Sequence, residues 1–158
     1  MKKVLIAYYS WSGTTAKLAH LLQQVTGGDL YEMKVAADVF SSDMYATSDI
    51  ATKQRATNAL PQLVGSLPDL NQYDVVLIGG PVWSGALATP VLTFLQQGQN
   101  TKAVLAPFYT DAGTKGDYEK DFTQAAGQPV KPGIGMDSMT LNQATAIAKV
   151  KAWWQQNF

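Results

Sequence analysis

Three stretches of this chain are apolar without interruption: Val4-Leu5-Ile6-Ala7-Tyr8-Tyr9, Val75-Val76-Leu77-Ile78-Gly79-Gly80 and Ala103-Val104-Leu105-Ala106-Pro107-Phe108-Tyr109. A strand with one wet face alternates apolar and polar residues. A run without alternation is buried on both faces, which is the pattern of a parallel sheet covered by helices. Residues 29–34 alternate instead, with Leu30 and Glu32 on one side and Tyr31 and Met33 on the other, as suits an edge strand. Residues 129–136 form a fifth candidate, and Pro132, Gly133 and Gly135 push it to the opposite edge.

Helical periodicity fills the gaps. Leu18, Leu21, Leu22 and Val25 share a face over residues 14–25, with Gly27-Gly28 as a stop. Thr89-Pro90 reads as a cap and first-turn proline, Val91, Leu92 and Leu95 face one side, and Gly98 ends the segment. A third helix covers 117–126 and Gly127 follows it. The last begins at Thr140, with Gln143 completing a capping box and Leu141, Ala144, Ile147 and Ala148 as its stripe. Ser48-Asp49 caps a weak helix running to Leu60, and residues 61–72 read as loop. The prediction is an α/β fold in one domain over residues 1–158: a doubly wound five-stranded parallel sheet with helices on both faces.

The 158 residues are 46% apolar, enough for one sizeable core. Lys+Arg and Asp+Glu balance at 12 each, so the basic footprint of a nucleic-acid binder is absent, as is a polybasic membrane tract. With no cysteine and one histidine, disulfides, zinc–cysteine sites, iron–sulfur clusters, thiol catalysis and histidine-rich metal sites are excluded. Lys2-Lys3 before an apolar run mimics a signal peptide, but the run is too short and no small-x-small site follows. The expectation is a soluble cytoplasmic protein.

In a doubly wound sheet, ligands bind beyond the carboxyl ends of the strands. The first such loop carries Ser10, Ser12, Thr14 and Thr15 with Gly13 and opens a helix, whose unpaired N–H groups and dipole attract phosphate. It is neither a Walker loop nor a dinucleotide turn, and on its own it fits a hydroxyl-rich helix start without a ligand equally well. The second loop sets Trp83 between Pro81-Val82 and Ser84-Gly85, where a tryptophan covers a planar ring or packs its own loop. The third offers Thr110, Asp111, Ala112 and Gly113, with Tyr118 shortly after. His20 reads as a helix-surface residue, and Asp43 and Asp49 lack partners at ligand spacing.

Taken together, the loops resemble those of the flavodoxin-like family. Residues 9–15, Tyr-Ser-Trp-Ser-Gly-Thr-Thr, are similar to its Y-S-x-[ST]-G-[NT]-T phosphate loop. Residues 73–85 are similar to Y-D-h-h-h-h-G-x-P-[IV]-W-x-G, h being apolar, and 106–113 to the segment containing F-x-T-x-x-G. The resemblance implies strand order 2-1-3-4-5 and one non-covalent FMN. It places Ser10, Ser12, Gly13, Thr14 and Thr15 on the phosphate, Pro81, Val82, Trp83, Ser84 and Gly85 along the ring, and Thr110, Asp111, Ala112 and Gly113 at the pyrimidine edge. Ser84 stands where many relatives carry a second tryptophan, and the neutral charge departs from strongly acidic electron carriers. The implied function is electron transfer with a redox partner protein or a small-molecule acceptor. An NAD(P)H-dependent quinone reductase on the same scaffold and a flavin-free phosphate-binding module are the alternatives.

Overall fold

The computed structural model describes residues 2–158. In chain order its elements are β1 (Val4–Tyr8), α1 (Thr14–Thr26), β2 (Asp29–Glu32), α2 (Met44–Ala56), β3 (Val75–Trp83), β4 (Ala86–Leu87), α3 (Thr89–Gln97), β5 (Val104–Asp111), α4 (Tyr118–Ala126), β6 (Ile134–Asp137), α5 (Ser138–Leu141) and α6 (Ala146–Asn157). The parallel sheet runs β2-β1-β3-β5-β6, which is the expected 2-1-3-4-5 once the two-residue β4 is set aside. Leu5 pairs with Val76, and Val76 with Leu105, so the three apolar runs lie in register at the centre.

The uninterrupted apolarity of those runs follows from two cores. Leu5, Ala7, Val76, Ile78 and Leu105 point to one face and pack with Val91, Phe94 and Leu95 of α3 and Phe122 of α4. Val4, Ile6, Val75, Leu77 and Phe108 point to the other and pack with Leu18 and Leu22 of α1 and Val150 and Trp153 of α6. Every side chain of β1 is therefore buried.

Of the boundaries that differ from the sequence reading, three have a local reason. Helix α2 begins at Met44, because Asp43 Oδ2 accepts the Ala46 N–H at 3.0 Å; Ser48 and Asp49 lie inside the helix, which ends at Ala56. No capping box starts the last helix at Thr140. Asp137 Oδ1 accepts the Thr140 N–H at 2.7 Å and opens the four-residue α5, and the long helix restarts at Ala146. Its buried stripe is Ala146, Val150 and Trp153, while Ala144 and Ala148 are exposed. The fifth parallel strand begins at Ile134; Val130 makes one isolated bridge to Leu105, and Pro132, which has no N–H to donate, lies between them.

No helix among the described residues is long and apolar enough to cross a membrane. Nor do the described residues gather three or more metal-ligating side chains.

Candidate functional site

The carboxyl ends of β1, β3 and β5 bring the three loops to one edge of the sheet. In the first, Ser10 Oγ accepts the N–H of Gly13 at 3.1 Å and of Ala16 at 3.2 Å, so Ser10 acts as the cap of α1 from three residues upstream of Gly13. The N–H groups of Thr14 and Thr15 have no acceptor among the described residues. Ser12 Oγ stands 3.3 Å from Thr14 Oγ1 on the exposed side. Thr15 is buried, and its Oγ1 lies 2.7 Å from Thr110 Oγ1, joining the first loop to the third across 95 residues of sequence. Backbone donors, a positive helix end and hydroxyls converge here, and Lys17 Nζ on the same turn donates to Asn142 Oδ1 at 3.3 Å.

The second loop is a hairpin rather than an irregular loop. Pro81, Val82 and Trp83 continue β3, and Trp83 pairs with Ala86 of β4. The two intervening residues, Ser84 (φ 51°) and Gly85 (φ 74°), are both left-handed, as tight two-residue hairpin turns require. Ser84 Oγ sits 2.7 Å from Ser48 Oγ of α2. Trp83 is half-buried and meets Tyr9 edge-on at 5.7 Å between ring centroids and Phe40 at 5.0 Å.

Phe40 belongs to the strap between β2 and α2, a stretch without helical or strand periodicity. The strap is pinned through Ser41, whose carbonyl accepts from Trp11 Nε1 at 3.0 Å and Thr47 Oγ1 at 2.8 Å. A cavity of about 330 Å³ opens beside it, walled by Tyr9, Trp11, Met33 and Phe40. The Asp43 cap was the available signal: it moves the start of α2 upstream and so shortens the strap.

The third loop engages part of its polar set. Thr110 is buried against Thr15, and Asp111 Oδ1 accepts the Gly113 N–H at 2.8 Å. Ala112 and Gly113 are exposed at the tip. Tyr118 lies inside the core, 1% exposed, with its ring 4.5 Å from that of Tyr109, and its buried hydroxyl has no partner. Tyr109 OH donates to Glu119 Oε2 at 2.7 Å.

Tyrosine is the titratable type on which these surroundings act most strongly. Burial pushes the Tyr9 phenol up to about 12. Tyr118 is raised by burial and then by Tyr109 beside it, and Tyr109 by burial and then by its bond to Glu119. All three phenols therefore stay neutral at physiological pH. His20 is an exposed helix residue whose Nδ1 lies 2.6 Å from the Ala16 carbonyl, outside the site.

Residues 3–157 match the flavodoxin family. Among solved structures, a flavoprotein from Lactobacillus acidophilus in complex with FMN is 40% identical, with a TM-score of 0.79 over 90% of this chain and 97% of that one. The apo form of the flavoprotein from the same organism gives 39% identity and a TM-score of 0.66 over 90% of this chain and 97% of that one. A candidate flavoprotein from Bacteroides uniformis is 25% identical, with a TM-score of 0.78 over 98% of each chain.

Proposed function

This chain belongs to the flavodoxin family, and on that premise we propose that it binds one FMN non-covalently and passes electrons through it to a redox partner protein or a small-molecule acceptor. The observation that carries the reading is the start of α1, where the Thr14 and Thr15 N–H groups lack acceptors beside the Ser12 and Thr14 hydroxyls. A phosphate supplies the missing acceptor, and the dipole of a 13-residue helix favours its charge. Tyr118, expected at the cofactor, is packed in the core with its hydroxyl out of reach of a ligand. The FMN-bound relative supports the same cofactor, and this chain superposes on it more closely than on the apo form.

Bound FMN supplies one- and two-electron transfer, while the protein supplies anchoring, a wall for the ring and the electrostatic surroundings. Thr14 and Thr15 would hold the phosphate through their N–H groups, with Ser12 and Thr14 adding hydroxyls. Ser10 holds the helix end in shape, and the Thr15 hydroxyl, engaged by Thr110, serves the joint between loops. Residues 81–85 would line the ring with Trp83 beside it, and residues 110–113 would reach the polar edge.

The absorbance spectrum of the purified protein, followed by titration of the apoprotein with FMN, tests this. A flavin spectrum and saturable binding are expected; a colourless protein that takes up no FMN overturns the reading. A reductase is the second reading, favoured by the small, exposed Ser84 at the hairpin tip, which leaves an approach to the ring uncovered. Steady-state oxidation of NAD(P)H with a quinone separates it from a carrier.

A further inference from the structure

We propose that Gly116 is a positioning residue that clamps the Ser84-Gly85 turn, so that the second and third loops open and close as one unit. The inference rests on the FMN reading, since it concerns how the walls of that site are held.

The turn is tight and is contacted from outside. Ser84 is left-handed at φ 51°, a conformation uncommon for a residue with a side chain, and Gly85 follows at φ 74°. From one side the turn is held by α2, through Ser48 Oγ at 2.7 Å from Ser84 Oγ. From the other it is met by the backbone of Gly116. A Cβ on Gly116 would fall 2.6 Å from the Gly85 carbonyl oxygen and 2.8 Å from Gly85 Cα. Both are backbone atoms, which cannot rotate away as a side-chain tip would. Only hydrogen fits, and any larger group drives the turn and the third loop apart. The third loop is itself bound to the first through Thr15 and Thr110 at 2.7 Å. Contacts therefore run unbroken from the helix start that would hold the phosphate, through the third loop, to the turn beside the ring.

Gly127 supplies an internal control. It has nearly the same left-handed conformation, φ 67° against 56° for Gly116, but a Cβ there would meet nothing within 4 Å. Gly127→Ala imposes the backbone strain alone, and Gly116→Ala adds the collision. FMN dissociation constants and the midpoint potential of the bound flavin are measured for wild type and both variants, with thermal melting of each apoprotein. Both variants should lose melting temperature, Gly116→Ala by more. Gly116→Ala alone should weaken FMN by tenfold or more and shift the midpoint potential. Affinity and potential matching those of Gly127→Ala would overturn the clamp while leaving the FMN reading intact; wild type that binds no FMN would overturn that reading itself. Should Gly116→Ala not fold, amide exchange on wild type decides. Residues 84–86 and 114–117 are expected to open at one common rate that FMN slows together, and independent rates would refute the clamp.

Discussion

The first and third loops draw on the same hydroxyl-bearing and glycine residue types, yet they use them differently. In the first, Ser10 takes two N–H groups and leaves those of Thr14 and Thr15 facing outward without acceptors. In the third, Asp111 has captured the Gly113 N–H, Thr110 is buried, and the backbone of Gly116 lies against Gly85. The difference comes from what holds each loop: the first is shaped by the cap of α1, the third by its own carboxylate and by its neighbours. The first loop enters a 13-residue helix after five residues, and a helix start always leaves donors over. The third wanders for six residues before α4 and folds back on its own carboxylate. Free donors at the start of a long helix imply that affinity resides mainly in the phosphate.

The largest effect expected from this contrast is on cofactor choice. Hydrogen bonds to a charged group contribute about 1.5–3 kcal/mol each, so even after dehydration the phosphate should add at least ~3 kcal/mol. That corresponds to roughly a hundredfold preference for FMN over riboflavin by calorimetric titration. Equal affinities would erase the distinction between the loops. Because the donors are neutral, the preference should change little with moderate salt.

The second expectation concerns the ring wall. Trp83→Ala should weaken FMN by roughly 1–3 kcal/mol, the range for stacking on an aromatic side chain, and should remove most of the tryptophan quenching that FMN causes. Unchanged affinity would place the ring away from the hairpin.

The joint between the loops is tested by Thr15→Val. Removing one hydroxyl of a buried pair strands the other, at a cost of about 1–3 kcal/mol in denaturant unfolding. Thr15→Val combined with Thr110→Val should recover much of that loss, since no orphan remains. Additive losses would show that the 2.7 Å contact does not couple the loops.

The smallest effect at neutral pH is the tyrosine titration. Tyr9 lies between the first loop and Trp83, and burial raises its phenol from 10.0 to about 12. A raised acidic group of this kind contributes stability that is complete below pH 10 and fades as pH climbs through about 12. Chemical stability should therefore be flat to about pH 9.5 and fall above it, with Tyr9→Phe shallower; Tyr109 and Tyr118, and also Tyr8, Tyr31 and Tyr73, are shifted in the same direction and add to the fall. A fall beginning below about pH 9 would contradict the burial of these phenols.

The sequence by itself determined the layered fold, the strand order that the family resemblance implies, and the three loops that meet at one edge. Those features arise from short-range signals: unbroken apolar runs that need cover on both faces, and glycine or hydroxyl residues where helices begin. Even the errors at Asp43 and Asp137 were local, since either aspartate could have been read as a cap three residues ahead of its acceptor N–H. What only the tertiary structure decided is which polar groups remain free. Thr15 looked like a ligand-facing hydroxyl until Thr110, 95 residues away, took it. Tyr118, a helix residue that was also expected at the cofactor, is taken wholly by the core. Phe40 beneath Trp83 and Gly116 against Gly85 left no periodic trace at all. A hydrogen-bond donor or a ring is claimed by whichever partner the topology delivers, and residues far apart in sequence carry no local mark of that meeting.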